Sequence, residues 1–278
     1  MQLKTATPIR LISCLLFFMA AAALFEGCSF DRAHKAYERG ERLLGDGDYS
    51  GAIAEYSSVV SGFPSSEWAP RSQYKIGFIF NHHINDMNGA RDAYARLLVL
   101  YPGSEEAFSA RQDMAQTWST RGEHRKAIEE YQRLVLERPD SRQTFQYLIA
   151  LEYVMMNEFR QARVELVELL DVITNPNLAP LIRYEIANTY YIEGSMDEAL
   201  KRYDEIIERY PGHSVAIDAR LGKAKALDEA GRLDEALGVL TGLLGEYPNK
   251  EAIETRIRWI KKRLKSGPGV TKGDAWKG

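Results

Sequence analysis

Cysteine is nearly absent: the 278-residue chain has Cys14 and Cys28 and none from residue 29 onward. A disulfide framework is excluded, and so is a cysteine-based metal site in the body of the chain. Proline, at 10 residues, and glycine, at 21, are too few for a collagen-like or proline-rich class. There is no basic excess. Lys and Arg total 36 against 39 Asp and Glu, a net charge of −3, so nucleic acid is not an expected partner. The one long uncharged apolar run covers residues 11–25, short of the roughly 20 residues a membrane-spanning helix needs. Catalytic signatures are also missing: there is no G-x-x-x-x-G-K-[ST], G-x-S-x-G or H-E-x-x-H. His82 and His83 are adjacent, and neighbours on a helix point about 100° apart, a poor chelate. The pairs Glu105-Glu106, Glu129-Glu130 and Glu137-Arg138 suit solvated helix faces. No enzyme, no metal and no cofactor is expected. What is present is the composition of an ordinary folded chain, 45% hydrophobic and 27% charged.

The first 28 residues have the layout of an export signal. Lys4 and Arg10 form a positive start, and Leu11 to Phe25 an apolar core. Phe25-Glu26-Gly27-Cys28-Ser29 follows. A small residue and then Cys just after such a core resembles the bacterial lipoprotein signal. The resemblance implies cleavage after residue 27, a diacylglycerol on the Cys28 thiol, and residues 28–32 as the anchored N-terminus. Ser29 in place of Asp implies the outer membrane. Phe25 and Glu26 depart from the Leu and small residue of that pattern. Leu11-Ile12-Ser13-Cys14 fits it by letters, but no apolar core precedes Leu11. An ordinary signal peptide, or an N-terminal anchor helix with Cys28 incidental, is the other reading. Two or three acyl chains make a stable anchor where one binds only marginally.

The rest of the chain repeats. A block of the form G-x-x-x-x-A-h-x-x-Y/L-x-x-h-h-x-x-x-P, with h apolar, recurs at 47–64, 87–102, 122–139, 157–176, 194–211 and 231–248. Its alanine is Ala52, Ala90, Ala127, Ala162, Ala199 and Ala236, at steps of 38, 37, 35, 37 and 37 residues. So regular a period marks a repeat architecture. Each copy predicts two helices. In the fifth, Pro180 to Tyr191 carries apolar residues at spacings of three and four, and Gly194 suits a left-handed C-cap. Asp197 and Glu198 suit the next N-terminus, and Pro211 stops that helix. Small Ala187 and Ala199 allow close backbone approach in an antiparallel hairpin.

These residues resemble tetratricopeptide repeats (TPR). The first copy supplies Gly40, Gly47, Tyr49, Ala52, Tyr56 and Pro64; the third supplies Ala115, Gly122, Ala127, Tyr131 and Pro139. The resemblance implies an all-α, right-handed solenoid of about six TPR hairpins plus a C-terminal capping helix. The repeats would run at 33–64, 65–102, 103–139, 140–176, 177–211 and 212–248. The capping helix would cover 250–265 and a disordered tail 266–278. In period and linker style the chain is similar to bacterial envelope TPR lipoproteins, among them the BamD-type subunit of the β-barrel assembly machinery and the periplasmic TPR partner of the Tol system. Helix 250–265 is amphipathic, with Ile253, Ile257, Trp259, Ile260 and Leu264 on one face and Arg256, Arg258, Lys261, Lys262 and Arg263 on the other. It suits a polar cap on the last repeat, or contact with phospholipid or lipopolysaccharide.

The resemblance also implies where a partner sits. The fifth, ninth and twelfth positions of the first helix of each repeat line the concave groove. The fifth positions include Tyr37, Tyr74, Tyr147 and Tyr184; ninth and twelfth positions add Phe78, Leu151, Asn188 and Tyr191. The second copy is taken with a one-residue longer turn. Tyrosine suits interfaces, offering a broad apolar face and a hydroxyl; the same rings could instead pack between helices. The Lys/Asn carboxylate clamp of chaperone-binding TPRs is missing. The expected function is a non-catalytic protein-interaction scaffold. It would hold envelope proteins or extended peptides in its groove, attached through Cys28 to the periplasmic face of the bacterial outer membrane, or secreted to the periplasm. BamD-like outer-membrane protein assembly is the first role. An adaptor for cell division or peptidoglycan machinery, a factor for pilus or secretin assembly, and a peptidoglycan- or glycan-binding module are the alternatives.

Overall fold

The computed structural model describes residues 31–266, the side chain of Ser266 excepted. The leader, Cys28 and residues 267–278 of the tail lie outside the described residues. Thirteen α-helices and no strand are found among the described residues. Twelve follow the six sequence repeats two by two: α1 (31–45) and α2 (Tyr49–Gly62), α3 (Trp68–Ile79) and α4 (Met87–Leu100), and α5 (Glu105–Thr120) and α6 (His124–Glu137). Then come α7 (Arg142–Met155) with α8 (Phe159–Val172), α9 (Leu178–Glu193) with α10 (Met196–Arg209), and α11 (Ser214–Glu229) with α12 (Leu233–Leu243). The last helix is α13 (Lys250–Ser266). None of the described helices is long and apolar enough to cross a membrane. The chain divides into two compact units, Met1–Gln116 and Thr117–Gly278, and the division falls within α5.

One backbone device closes every hairpin. Five residues before each repeat alanine stands a residue of positive φ: Gly47, Asn85, Gly122, Asn157, Gly194 and Gly231. Only Gly, or Asn at modest cost, enters this left-handed region readily. The next amide then reaches back over the turn. The Asp48 N–H donates to the Leu43 carbonyl at 2.8 Å, and the Ser195 N–H to the Tyr190 carbonyl at 2.9 Å. In the second hairpin the equivalent bond, from Asp86 N–H to the Phe80 carbonyl at 2.8 Å, spans one residue more. The extra residue of the 38-residue step therefore sits inside the first helix, in a π-helical turn at Phe80–Ile84, and not in a longer connecting turn.

The helices cross where small residues meet. Ala52, Ala127, Ala162, Ala199 and Ala236 are fully buried, and Ala90 nearly so. Opposite Ala162, Ala199 and Ala236 lie Ala150, Ala187 and Ala224, also fully buried. In the first unit glycine takes this place. A Cβ on Gly40 would stand 2.6 Å from the Tyr56 ring, and Gly77 is pressed on the Tyr94 ring in the same way. Each ring in turn is buried with its hydroxyl bonded: Tyr56 to Glu41 at 2.5 Å, Tyr94 to Asp113 at 2.9 Å. A buried hydroxyl without a partner would cost about 1–3 kcal/mol. In the second unit a core of Leu200, Tyr203, Leu227, Leu240 and Leu243 is completed by Ile253, Ile257 and Ile260 of α13.

Candidate functional site

The first helix of each hairpin carries the residues singled out from the sequence. All eight groove positions are half-buried. Each unit presents its own set.

In the first unit, Tyr37 packs 5.0 Å from the Trp68 ring and 5.5 Å from that of Tyr56. Burial, and then the charge of Glu41, push its hydroxyl pKa up. Tyr74 donates its hydroxyl to Asp113 Oδ2 at 3.0 Å, the same oxygen that receives Tyr94. Phe78 lies 4.4 Å from the His82 ring, while His83 stacks on Tyr49 at 4.8 Å. His83 also meets the Phe78 ring edge-on at 5.7 Å, so both histidines are held in aromatic contacts. Among the described residues no group of three or more His, Cys, Asp or Glu is placed to hold a metal ion. The carboxylates of this face are engaged: Glu41 accepts from Tyr56 and pairs with Lys75 at 3.0 Å, and Asp113 accepts from two tyrosines.

In the second unit, Tyr147 and Leu151 lie on α7, and Tyr184, Asn188 and Tyr191 on α9. Tyr147 packs on the cluster of Leu166, Leu169, Ile182 and Ile186. Tyr184 and Tyr191 pack on the larger core of the last hairpins. Asn188 accepts from the Tyr203 hydroxyl at 2.7 Å and donates weakly to Glu185 at 3.4 Å, so it positions buried groups as well as facing outward. Burial first, and the Glu185 charge second, lift the Tyr147 hydroxyl to about 12. Burial and then Asp218 lift that of Tyr184 to about 12. Burial also raises the carboxyl pKa values of Glu185 and of the more exposed Asp218.

Glu185 and Asp218 are the members of this face that sequence reasoning missed. Neither has a cationic partner among the described residues. The repeat alignment contained the signal, since Glu185 follows groove residue Tyr184 and Asp218 lies in the second turn of α11. Glu130, expected on a solvated face, is a correction: it is buried and bonded to Arg133 at 2.5 Å, because α6 turns that edge toward its own neighbours. Two hollows lie elsewhere. In the first unit a groove of about 740 Å³ between α2 and α4, floored by α3, is lined by Ile53, Val60, Ile76, Phe80 and Leu100. In the second, one of about 360 Å³ between α8 and α10 carries Arg163, Arg183 and Arg202. Neither is lined by a predicted groove residue.

Comparison with known proteins agrees with this geometry. Tetratricopeptide repeat family models match residues 71–104 and 190–255. No curated protein matches the sequence. Among solved structures, a tetratricopeptide repeat protein from Parabacteroides merdae ATCC 43184 is similar with a TM-score of 0.58 at 18% identity, covering 84% of this chain and 88% of that one. PilW, a widely conserved type IV pilus biogenesis factor, is similar with a TM-score of 0.52 at 14% identity, covering 80% and 97%. The Naa15/Naa10 complex bound to HypK-THB contains a chain similar with a TM-score of 0.55 at 16% identity, covering 88% of this chain and 36% of that one. At these identities the likeness is one of fold. The matched stretches are tetratricopeptide repeats, and the fold around them is an all-α array of helical hairpins.

Proposed function

We propose that this chain is a lipid-anchored scaffold of the bacterial cell envelope that holds an extended stretch of a partner protein on the first-helix face of its second unit. The observation that carries the reading is the pairing of half-buried Tyr147, Tyr184 and Tyr191 with Glu185 and Asp218, carboxylates with no cationic partner among the described residues. Such a face suits a segment that alternates apolar side chains with Lys or Arg, whose charge would relieve the desolvated carboxylates while its stem lies on the rings. Asn188, tied to Tyr203, holds the floor of the site in place. In the first unit Tyr37, Tyr74 and Phe78 are turned more to internal bonding, so they form the weaker contact.

The export signal and Cys28 support attachment to the periplasmic face of the outer membrane. Outer-membrane protein assembly of the BamD-like kind is the first role proposed. A pilus or secretin assembly factor is the second reading, supported by the hairpin stack shared with PilW. Division and peptidoglycan adaptors, and glycan binding on the tyrosines, fit the same face less directly, since neither calls for two carboxylates.

The test is a photo-crosslinking side chain at position 184 in intact cells, followed by mass spectrometry of the adduct and of the N-terminal peptide. A protein adduct at position 184, and an N-terminal peptide beginning at acylated Cys28, are expected. Changing Tyr147 and Tyr184 to Ala should lower recovery of that partner at least tenfold, the loss typical of buried aromatic anchors. Unchanged recovery would remove the site; an unmodified Cys28 would remove the anchor and leave the site standing.

A further inference from the structure

The last helix, α13, gathers basic residues in an otherwise mildly acidic chain. The chain as a whole carries a net charge of −3, yet α13 has seven basic residues against two acidic ones, Glu251 and Glu254. Both acids lie in its first two turns. From Arg256 to the helix end there are six basic residues and no acid. Two of the six turn inward: Arg256 is buried, and Arg263 pairs with Asp228 and lies 4.4 Å over the Trp259 ring. The other four, Arg258, Lys261, Lys262 and Lys265, are exposed and together line one shallow surface hollow. Their spacing of three, four and seven places them on one helix face, in a row about 10 Å long at 1.5 Å per residue. The opposite face is anchored, with Ile253, Ile257 and Ile260 buried in the core of the second unit.

Capping accounts for the buried face and for cations in the last turn, where they meet the helix dipole. It does not account for Arg258 and Lys261, which stand a turn or more earlier. Arg258 donates to Thr255 at 2.8 Å, and among the described residues no acidic side chain forms an ion pair with Arg258, Lys261 or Lys265. We propose that this row is a docking surface for an anionic lipid bilayer, separate from the partner site on α7 and α9. Charge complementarity identifies the occupant: a flat, diffuse layer of phosphate headgroups matches four cations on one helix face. Leu264, 38% exposed beside the row, adds an apolar contact at headgroup depth. A polyanion that wraps the molecule would meet the acidic remainder of the chain; a membrane touched at this face meets only the row.

The size of the effect follows from the chemistry. Each Lys or Arg held near an anionic surface strengthens attachment about fivefold, and the attraction fades beyond a Debye length of about 10 Å at 0.1 M salt. The four together are a secondary attachment, fitted to reinforce another anchor.

The experiment compares the full chain with its Arg258→Gln, Lys261→Gln, Lys262→Gln, Lys265→Gln variant by co-sedimentation with vesicles. One vesicle set contains phosphatidylglycerol in phosphatidylcholine and the other phosphatidylcholine alone. Any apolar contribution of the leader is common to both proteins and both vesicle types. The expected result is a preference of the unsubstituted chain for anionic vesicles at low salt. That preference should fall on the order of a hundredfold in the variant and be lost at high salt. Equal partitioning of the two proteins, or equal binding to both vesicle types, would overturn the proposal. So would displacement by millimolar inorganic phosphate, which would assign the row to a soluble anion. Tighter binding to double-stranded DNA than to vesicles, with the same loss in the variant, would also overturn it. The four positions are exposed, so an unchanged melting curve separates lost docking from lost folding.

Discussion

The two units share a hairpin and differ in what they do with its polar groups. In the first unit glycine at the helix crossing lets tyrosine rings sink in, and the hydroxyls of Tyr56, Tyr74 and Tyr94 draw Glu41 and Asp113 into internal bonds. In the second, alanine holds the crossing at Ala150, Ala187 and Ala224, the Tyr203 ring sinks onto Gly222 with its hydroxyl on Asn188, and Glu185 and Asp218 have no cationic partner among the described residues. The same frame thus yields one unit whose first-helix face is closed by its own hydrogen bonds and one whose face is left for something else. Fold alone assigns a function to neither; the difference lies in which carboxylates already have a partner.

The largest effect should come from the glycine crossing. Gly77→Val is expected to destabilise the first unit by about 3 kcal/mol, because the Tyr94 ring is fixed through its bond to Asp113 and cannot yield. Ala187→Gly in the second unit should cost only about 1 kcal/mol, the helix-propensity difference. Chemical denaturation with hydrogen exchange, reading each unit, checks both; similar losses at the two sites would erase the contrast. Asp113→Asn comes next. It leaves the buried Tyr94 and Tyr74 hydroxyls sharing a neutral acceptor, and should cost about 1–2 kcal/mol in the same assay.

The smallest effect concerns pH and the second unit. The Glu185 and Asp218 carboxyls are raised by burial, so the folded chain holds their protons to higher pH than the unfolded chain does. The stability this proton uptake contributes is complete below the ordinary carboxyl pKa and lost as pH rises through the folded values. Glu185→Gln with Asp218→Asn removes the charges. The variant should melt above the unsubstituted chain at pH 7, and the gap should close as pH falls toward 4. A gap of constant size would mean that the carboxylates are well solvated, and the face would resemble that of the first unit.

Much of this was legible beforehand. Gly194 as a left-handed cap, Ala199 and Ala187 at the crossing, and the six-fold period follow from short-range rules that one helical turn enforces. The tyrosine face was legible as a set of positions. What was not legible depends on neighbours a repeat away. Asp113 holds Tyr74 from 39 residues off, and Glu130 turns inward because of how α6 meets its surroundings. Glu185 and Asp218 become notable only once their surroundings prove to lack a cation. The extra residue of the second repeat was countable, but its place inside a helix was not, since a longer turn satisfies the same count.

That place has a consequence for how such arrays can change length. Every hairpin keeps a five-residue step from its left-handed residue to its alanine, whatever happens upstream. The distance downstream of the turn is therefore the ruler, and the upstream helix is the slack. An inserted residue is swallowed as a wider helical coil at Phe80–Ile84 while the crossing beyond it stays in register. Additions and deletions should be tolerated in the closing turn of a first helix and rejected in the opening turn of a second. This gives the array a grain, along which its repeats can be lengthened one residue at a time without disturbing the next.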